Sequence, residues 1–387
     1  MRIGIDCRMY SSQFTGIGRY TYELIQNLLA IDTKNHYVLF FNEPQYAEFQ
    51  PPLLKNGRQA TNVEKILVNA HHYSRQEQTK FLKILNAANL DLTHFTHFNA
   101  PLLYSKPSIV TIHDLTLHFY PGKKMTSPLH RLAYGLIIRN IVWRAKKVIT
   151  VSKNTQKDLE QVLHTDARKV AVIYEGVHED FQMCKTPGLK KQVAEKYGID
   201  VPFLLYTGVW RDHKNVLGLI KAFYLLKSLY TKPLKLVITG KKDPTYAPAV
   251  LNLIEELGLE TEILLPGLVD ENELIYLMSN AEVFVFPSFY EGFGLPPLEA
   301  MKCGTPVAAS NASCIPEICG EENAVFFNPH RPENMAKQII KILEDEKLRN
   351  ELIKNGLQHV EKFSWRKMAE ETLQVYQVAS EKGKNIE

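Results

Sequence analysis

The sequence predicts an α/β protein built from two doubly wound domains, and three observations predict it. At 387 residues the chain exceeds what one hydrophobic core usually fills. Short apolar runs alternate with helix-like segments from the first residues onward. The alternation restarts after residue 200, and strands joined by helical crossovers form a parallel sheet covered on both faces.

Taken in order, "RIGID" (2 to 6) is the first strand. "IGRYTYELIQNLLA" then places Ile17, Tyr20, Leu24, Ile25 and Leu28 at the spacing of one helix face. "YVLFF" (37 to 41), "PSIVTIH" (107 to 113) and "KVITV" (147 to 151) continue the first series. The second series is "FLLYT" (203 to 207), "LKLVIT" (234 to 239), "EILLP" (262 to 266), "EVFVFP" (282 to 287), "PVAAS" (306 to 310) and "AVFF" (324 to 327). Asp270 and Glu273, just before "LIYLM", read as a capping pair that starts a helix. The polar stretch "EGVHEDFQMCKTPGLKKQVAEKYGIDVP", carrying Pro187 and Gly188, reads as the linker between the domains. After residue 330 only helical patterns remain.

Hydrophobic residues make up 45% of the chain and charged residues 23%, which is ordinary for a folded soluble protein. Five cysteines without a C-x-x-C pair indicate neither a disulfide framework nor a zinc site, and a reducing cytoplasmic setting fits them. The N-terminus lacks an apolar signal region, and no run approaches the roughly 20 apolar residues of a membrane span. A net charge of +4 does not argue for nucleic acid, but leaves room for an anionic small molecule or an anionic membrane surface. "HRLAYGLIIRNIVWRAKK" (130 to 147) mixes five basic residues with apolar ones. It reads either as a core helix with a solvated basic face or as a segment lying on a membrane.

Ligands of open parallel sheets bind outside the carboxyl ends of the strands, so the chemistry belongs in the loops that follow strands. The stretch "PSFYEGFGLPPLEAMKCGTP" (287 to 306) is such a loop and the helix after it. Glu291 to Leu295 forms the loop, Pro296 and Pro297 suit the first helical positions, and Gly304 stops the helix after about two turns. This places Glu299 in the first turn. Backbone N–H groups of the glycine-flanked turn suit a phosphate, while Glu291 and Glu299 suit neutral hydroxyls as charge-assisted acceptors.

Near the start, "TGIGRY" puts Gly16 and Gly18 between the first strand and helix, where glycine permits close approach to a phosphate or an acceptor. That loop lacks the third glycine of a dinucleotide fingerprint, which disfavours nicotinamide and flavin enzymes. His113 ends a strand run and so emerges at a carboxyl end. His94 and His97 in "LTHFTHFNAPL" have no further ligand nearby to complete a metal set.

Two glutamates separated by the seven residues "GFGLPPL" resemble the signature of the GT4 family of retaining glycosyltransferases, which have the GT-B fold. "TGIGRYTYEL", "TIHDLTLHFYP", "VITVSKNTQKDL", "VIYEGV", "YTGVWRDHKN", "EGFGLPPLEAMKCGTPVAASNASCIPEICG" and "FSW" resemble its landmarks in the same order. The resemblance implies two Rossmann-like domains facing across a cleft that closes over the donor, with the C-terminal helix returning to the first domain. The boundaries expected are 1–182 with 365–387, and 183–364.

The resemblance also implies roles. Glu299 would bind ribose hydroxyls. Glu291, with the backbone of Gly292, Phe293 and Gly294 and adjoining Leu295, would hold the donor sugar. Lys214 would neutralise the diphosphate of the leaving nucleotide, a charge that needs fixed cations. Many family members carry Arg directly after the strand-end glycine, where this chain has Val209; Arg211 is the nearest substitute. His113 would touch the sugar near its reacting carbon, through a hydroxyl or its backbone carbonyl. The base would lie against "LPGLVDENE", which includes Val269. Asp270 or Glu271 there would accept guanine N–H groups, unless Asp270 serves only as a helix cap.

The activity implied is metal-independent, retaining transfer of a hexosyl group to a glycan or lipid-linked acceptor, by mannosyltransferases of surface polysaccharide synthesis in the cytoplasm. No cofactor is expected beyond the nucleotide sugar, GDP-mannose ahead of UDP-glucose. Peripheral contact with the inner membrane surface and no nucleic acid partner complete the expectation. A phosphorylase-like pyridoxal-phosphate enzyme and a non-catalytic sugar-nucleotide-binding protein are the alternatives.

Overall fold

Runs of branched and aromatic residues with little polar alternation form the inner strands of two sheets, which are buried along nearly their whole length. A computed structural model describes residues 1–11, 16–54, 57–122, 128–184 and 189–381. Pro187 and Gly188 lie outside the described residues. The chain divides into two units: Met1–Gly176 with Ser364–Glu387, and Val177–Phe363.

In the first unit the strands are β1 (Arg2–Asp6), β2 (His36–Phe41), β3 (Val63–Leu67), β4 (Leu92–Phe95), β5 (Ser108–Ile112), β6 (Lys147–Thr150) and β7 (Val170–Val172). They lie in the order β3-β2-β1-β4-β5-β6-β7, and every pairing is parallel. The order turns back beside β1, so β1 and β4 flank the switch point. Phe40, Phe81, Phe95, Val110 and Val148 pack in one core beside this sheet. Each fully buried side chain of this size contributes roughly 1.5 to 3 kcal/mol.

The second unit has β8 (Phe203–Thr207), β9 (Lys235–Thr239), β10 (Ile263–Gly267), β11 (Val283–Phe286), β12 (Val307–Ser310) and β13 (Ala324–Phe327). Their order is β10-β9-β8-β11-β12-β13, again parallel throughout. Here the switch point falls between β8 and β11. Trp210, Phe223, Leu236 and Ile339 fill its main core.

The chain changes unit between Gly176 and Val177 and again between Phe363 and Ser364, where the sequence set 182 and 364. The segment read as a linker belongs largely to the second unit. Cys184 N donates to Ser279 Oγ at 2.9 Å, and Lys196 and Tyr197 of the helix Leu189–Tyr197 donate to Glu273 at 2.5 and 2.7 Å. Glu273 in turn completes a capping box with Asp270, as the sequence predicts.

The helix Trp365–Ser380 returns to the first unit. Its buried residues Trp365, Met368, Ala369, Thr372, Tyr376 and Ala379 form one stripe, which packs on the helix Gly16–Ile31 and against β4 and β5. Tyr376 shares a 2.7 Å hydrogen bond with His94 Nδ1, and His94 Nε2 shares one of 2.8 Å with Thr111 Oγ1. His94 is therefore a structural residue. Burial, aided by His113, pushes its imidazole down to about 3, so it stays neutral. Among the described residues no helix is long and apolar enough to cross a membrane, and no group of His, Cys, Asp or Glu is arranged to hold a metal ion.

Candidate active site

The loops after β8 and β11 leave adjacent strands at the switch point of the second sheet, so residues 77 apart in sequence meet. After β8 the chain runs through Gly208 and the buried Trp210 into a single turn, Asp212–Lys214, whose last residue is Lys214. Asn215 follows at φ +55° and ties this loop to its neighbours, its amide donating to the carbonyls of Pro287 and Pro329 at 3.1 and 2.8 Å. Phe289 N donates to His213 O at 2.8 Å, a second stitch between the two loops.

Lys214 Nζ donates to both oxygens of Glu291, each at 2.7 Å. The lysine side chain is 21% exposed and the glutamate 10%, so the pair sits at the protein surface with water nearly excluded from the carboxylate. Glu291 is held from behind. Its N–H donates to Ser313 Oγ at 3.2 Å, while Ser313 Oγ and Cys314 Sγ both donate to its carbonyl. Cys314 Sγ also lies 3.0 Å from Phe293 O, so its single S–H is shared between the two carbonyls. Sequence reasoning missed both supports, although the "NASC" turn, with Ser313 at φ +57°, marks a constrained loop after β12.

Two further groups at these strand ends have no partner among the described residues: Tyr206 Oη on β8 and Ser288 Oγ after β11. Burial, and secondarily Glu291, push the Tyr206 phenol well above its ordinary value, so it remains a donor. A Cβ on Gly208 would stand 2.9 Å from that hydroxyl. A Cβ on Gly240, after β9, would stand 2.1 Å from Gly208 O, so the strand-end loops approach at glycine-only separation.

Gly294, at φ +101°, caps the helix Leu295–Lys302, with prolines in its first positions and Gly304 at φ +78° beyond its end. Glu299 is buried in this helix, but in its second turn rather than its first, because the helix begins at Leu295. The dipole of the helix N-terminus therefore does little for it. Burial pushes the nearby Cys303 thiol up to about 12, with Glu299 adding to the shift. Gly292 and Phe293 are buried, the Phe293 ring edge-on to Phe363 at 5.9 Å, and Leu295 is half-buried. Arg211 is exposed. Val269 is half-buried on the loop after β10, two strands or about 10 Å from β8.

In the first unit the structure corrects the sequence reading of Gly16 and Gly18. Both lie inside the first turn of the helix Gly16–Ile31, not in the loop before it, and a Cβ on Gly16 would meet nothing within 4 Å. His113 does emerge at the end of β5, buried and fully engaged. Its Nε2 donates to Thr96 O at 2.9 Å, Nδ1 faces Glu175 at 3.5 Å, and its carbonyl accepts from Thr155 Oγ1 at 3.2 Å. At the end of β1 lies a cluster the sequence did not disclose. Arg8 is bonded to Asp6 at 2.8 and 2.9 Å and to Glu77 at 3.2 Å, its guanidinium 4.2 Å above the Phe81 ring. The local "DCR" gave its only signal.

Two family models divide the chain much as its structure does. Residues 14–181 match glycosyltransferase family 4, and residues 190–359 match glycosyl transferases group 1. The chain belongs to this glycosyltransferase family. The enzyme is 27% identical over 376 residues to an Escherichia coli O-antigen chain mannosyltransferase B, covering 94% of this chain and 96% of that one. It is 32% identical over 224 residues to the E. coli serotype-specific mannosyltransferase WbdA, a match to 57% of this chain that spans only 27% of the length of WbdA. Among solved structures, Anabaena HepE with UDP-glucose superposes at a TM-score of 0.75 and 18% identity, covering 98% of this chain and 100% of the other. Sucrose-phosphate synthase from Thermosynechococcus elongatus gives 0.75 at 22%, covering 97% and 98%. These structures show that the glycosyltransferase has the GT-B fold.

Proposed function

We propose that this glycosyltransferase moves a hexosyl group, of mannose type, from a nucleotide-diphosphate sugar to a glycan or lipid-linked acceptor, with retention and without a metal ion. The observation that carries the reading is the Lys214–Glu291 pair at the switch point of the second sheet. A diphosphate arriving there competes with Glu291 for the lysine, whose charge then neutralises the leaving group as it departs. Glu291, relieved of its cation, accepts hydroxyl hydrogen bonds from the sugar, and Glu299 does so from the ribose.

With Glu291 assigned to the sugar's hydroxyls rather than to its reacting carbon, front-side attack assisted by the departing phosphate is the reading, in place of a glycosyl-enzyme intermediate. Arg211 is assigned to the outer phosphate, Val269 to the base, Gly16 and Gly18 to the acceptor side, and His113 to the sugar. The mannosyltransferase names of its relatives support GDP-mannose over UDP-glucose. The guanine argument rests on Glu271, because the Asp270 carboxylate serves the capping box. A cytoplasmic enzyme in peripheral contact with a membrane fits a lipid-linked acceptor.

A thermal-shift panel of nucleotide sugars tests the reading, since a ligand of the folded state raises its melting temperature. GDP-mannose is expected to give the largest shift, in the presence of chelator, and Glu299→Ala to abolish it. A full shift in Glu299→Ala would remove the ribose assignment.

A further inference from the structure

We propose that the outer face of the helix Pro128–Arg144 docks on an anionic membrane surface. Tyr134, Ile138, Ile141 and Val142 turn one side of this helix into the core of the first unit. The opposite side is apolar as well. Leu132, Leu136 and Trp143 are 61%, 60% and 77% exposed, and with Arg139 they fall at i, i+4, i+7 and i+11, a single stripe. Arg144 donates to Leu102 O at 3.0 Å, which brings the neighbouring Leu103, 75% exposed, to the Trp143 end. Large apolar side chains gathered this way are unlike the isolated ones that any surface carries.

Charge selects the occupant. Residues 128–147 contain no Asp or Glu, while Arg131, Arg139, Arg144 and Lys146 are exposed. Lys169 donates to Trp143 O at 2.5 Å and Lys147 to Arg168 O at 2.7 Å, adding cations at the same end; the acid Asp166 there is paired with Arg168. A second copy of the chain would set arginines against arginines, a repulsive arrangement. An anionic bilayer satisfies every group. Leucines enter the acyl boundary, the Trp143 indole lies at headgroup depth, and the guanidiniums meet lipid phosphates. This inference does not depend on the donor assignment.

The test is flotation of the full-length protein with phosphatidylcholine vesicles, with and without about a third phosphatidylglycerol. Binding to the anionic vesicles alone, weakened by salt, is expected. Arg139→Ala should reduce it roughly fivefold, in line with one basic residue near such a surface, and Leu132→Glu with Trp143→Glu should reduce it at least tenfold. These positions are exposed, so each variant is required to melt like the parent. Failure of the parent to float, or equal flotation of the variants, would overturn the proposal. So would self-association that the same substitutions abolish in a protein that does not float.

Discussion

Lys214 and Glu291 hold each other's charge at the mouth of two loops, and that pairing shapes what either residue shows when mutated. Removing the lysine leaves a nearly buried carboxylate without its cation. Lys214→Ala is therefore expected to cost about 1 to 3 kcal/mol in urea unfolding, the partial exposure tempering the larger figure for buried pairs. Its kcat should fall by roughly 10²- to 10³-fold, as for other lost charge-stabilising groups. Lys214→Met with Glu291→Gln removes both charges. Recovery of stability without recovery of activity would separate folding from chemistry, whereas recovery of both would refute the phosphate role. The sequence displayed both residues, because each sits in a loop after a legible strand. It did not display their contact, which only the pairing of β8 with β11 creates.

At the scale of elements, most apolar runs were legible and polar strands were not, and the three-residue apolar β7 was passed over as well. "FLLYT" and "AVFF" coincide with β8 and β13 to the residue. The central strand β4 escaped notice because Thr93 and His94 look like loop residues until their partners are known. Thr93 is satisfied by Tyr104 at 2.6 Å, and His94 by Tyr376 and Thr111. The edge strand β3 escaped because Glu64 and Lys65 break its apolar run. Tyr376→Phe should cost roughly 1 to 3 kcal/mol, since it orphans a buried imidazole nitrogen. Gly176→Ala should cost more, because its Cβ would lie 2.1 Å from Trp365 N, a backbone atom that cannot swing aside. Equilibrium unfolding of either variant measures the cost; parental stability in Gly176→Ala would contradict the close approach.

Across the whole molecule, buried neutral histidines couple stability to pH. His94 is held down to about 3 against an ordinary 6.5, and His97 is also held well below, by burial first and neighbouring cations second. Between those values the unfolded chain binds protons that the folded chain refuses. Stability is thus full above pH 6.5 and falls as the pH drops through this window, by about 3 kcal/mol for His94 on reaching about pH 4. The melting temperature should decline accordingly, and His94→Gln should flatten the decline; an unchanged slope would show that His94 does not carry it.

The helix Trp365–Ser380 also has a consequence for biogenesis. Residues 177–363 are an uninterrupted length of chain and can close their core as soon as they leave the ribosome. The first 176 residues cannot finish theirs, because Tyr376 and its stripe are synthesised roughly 200 residues later. The half of the enzyme translated first is therefore completed last, and a premature stop between residues 364 and 376 would damage it while sparing the second unit.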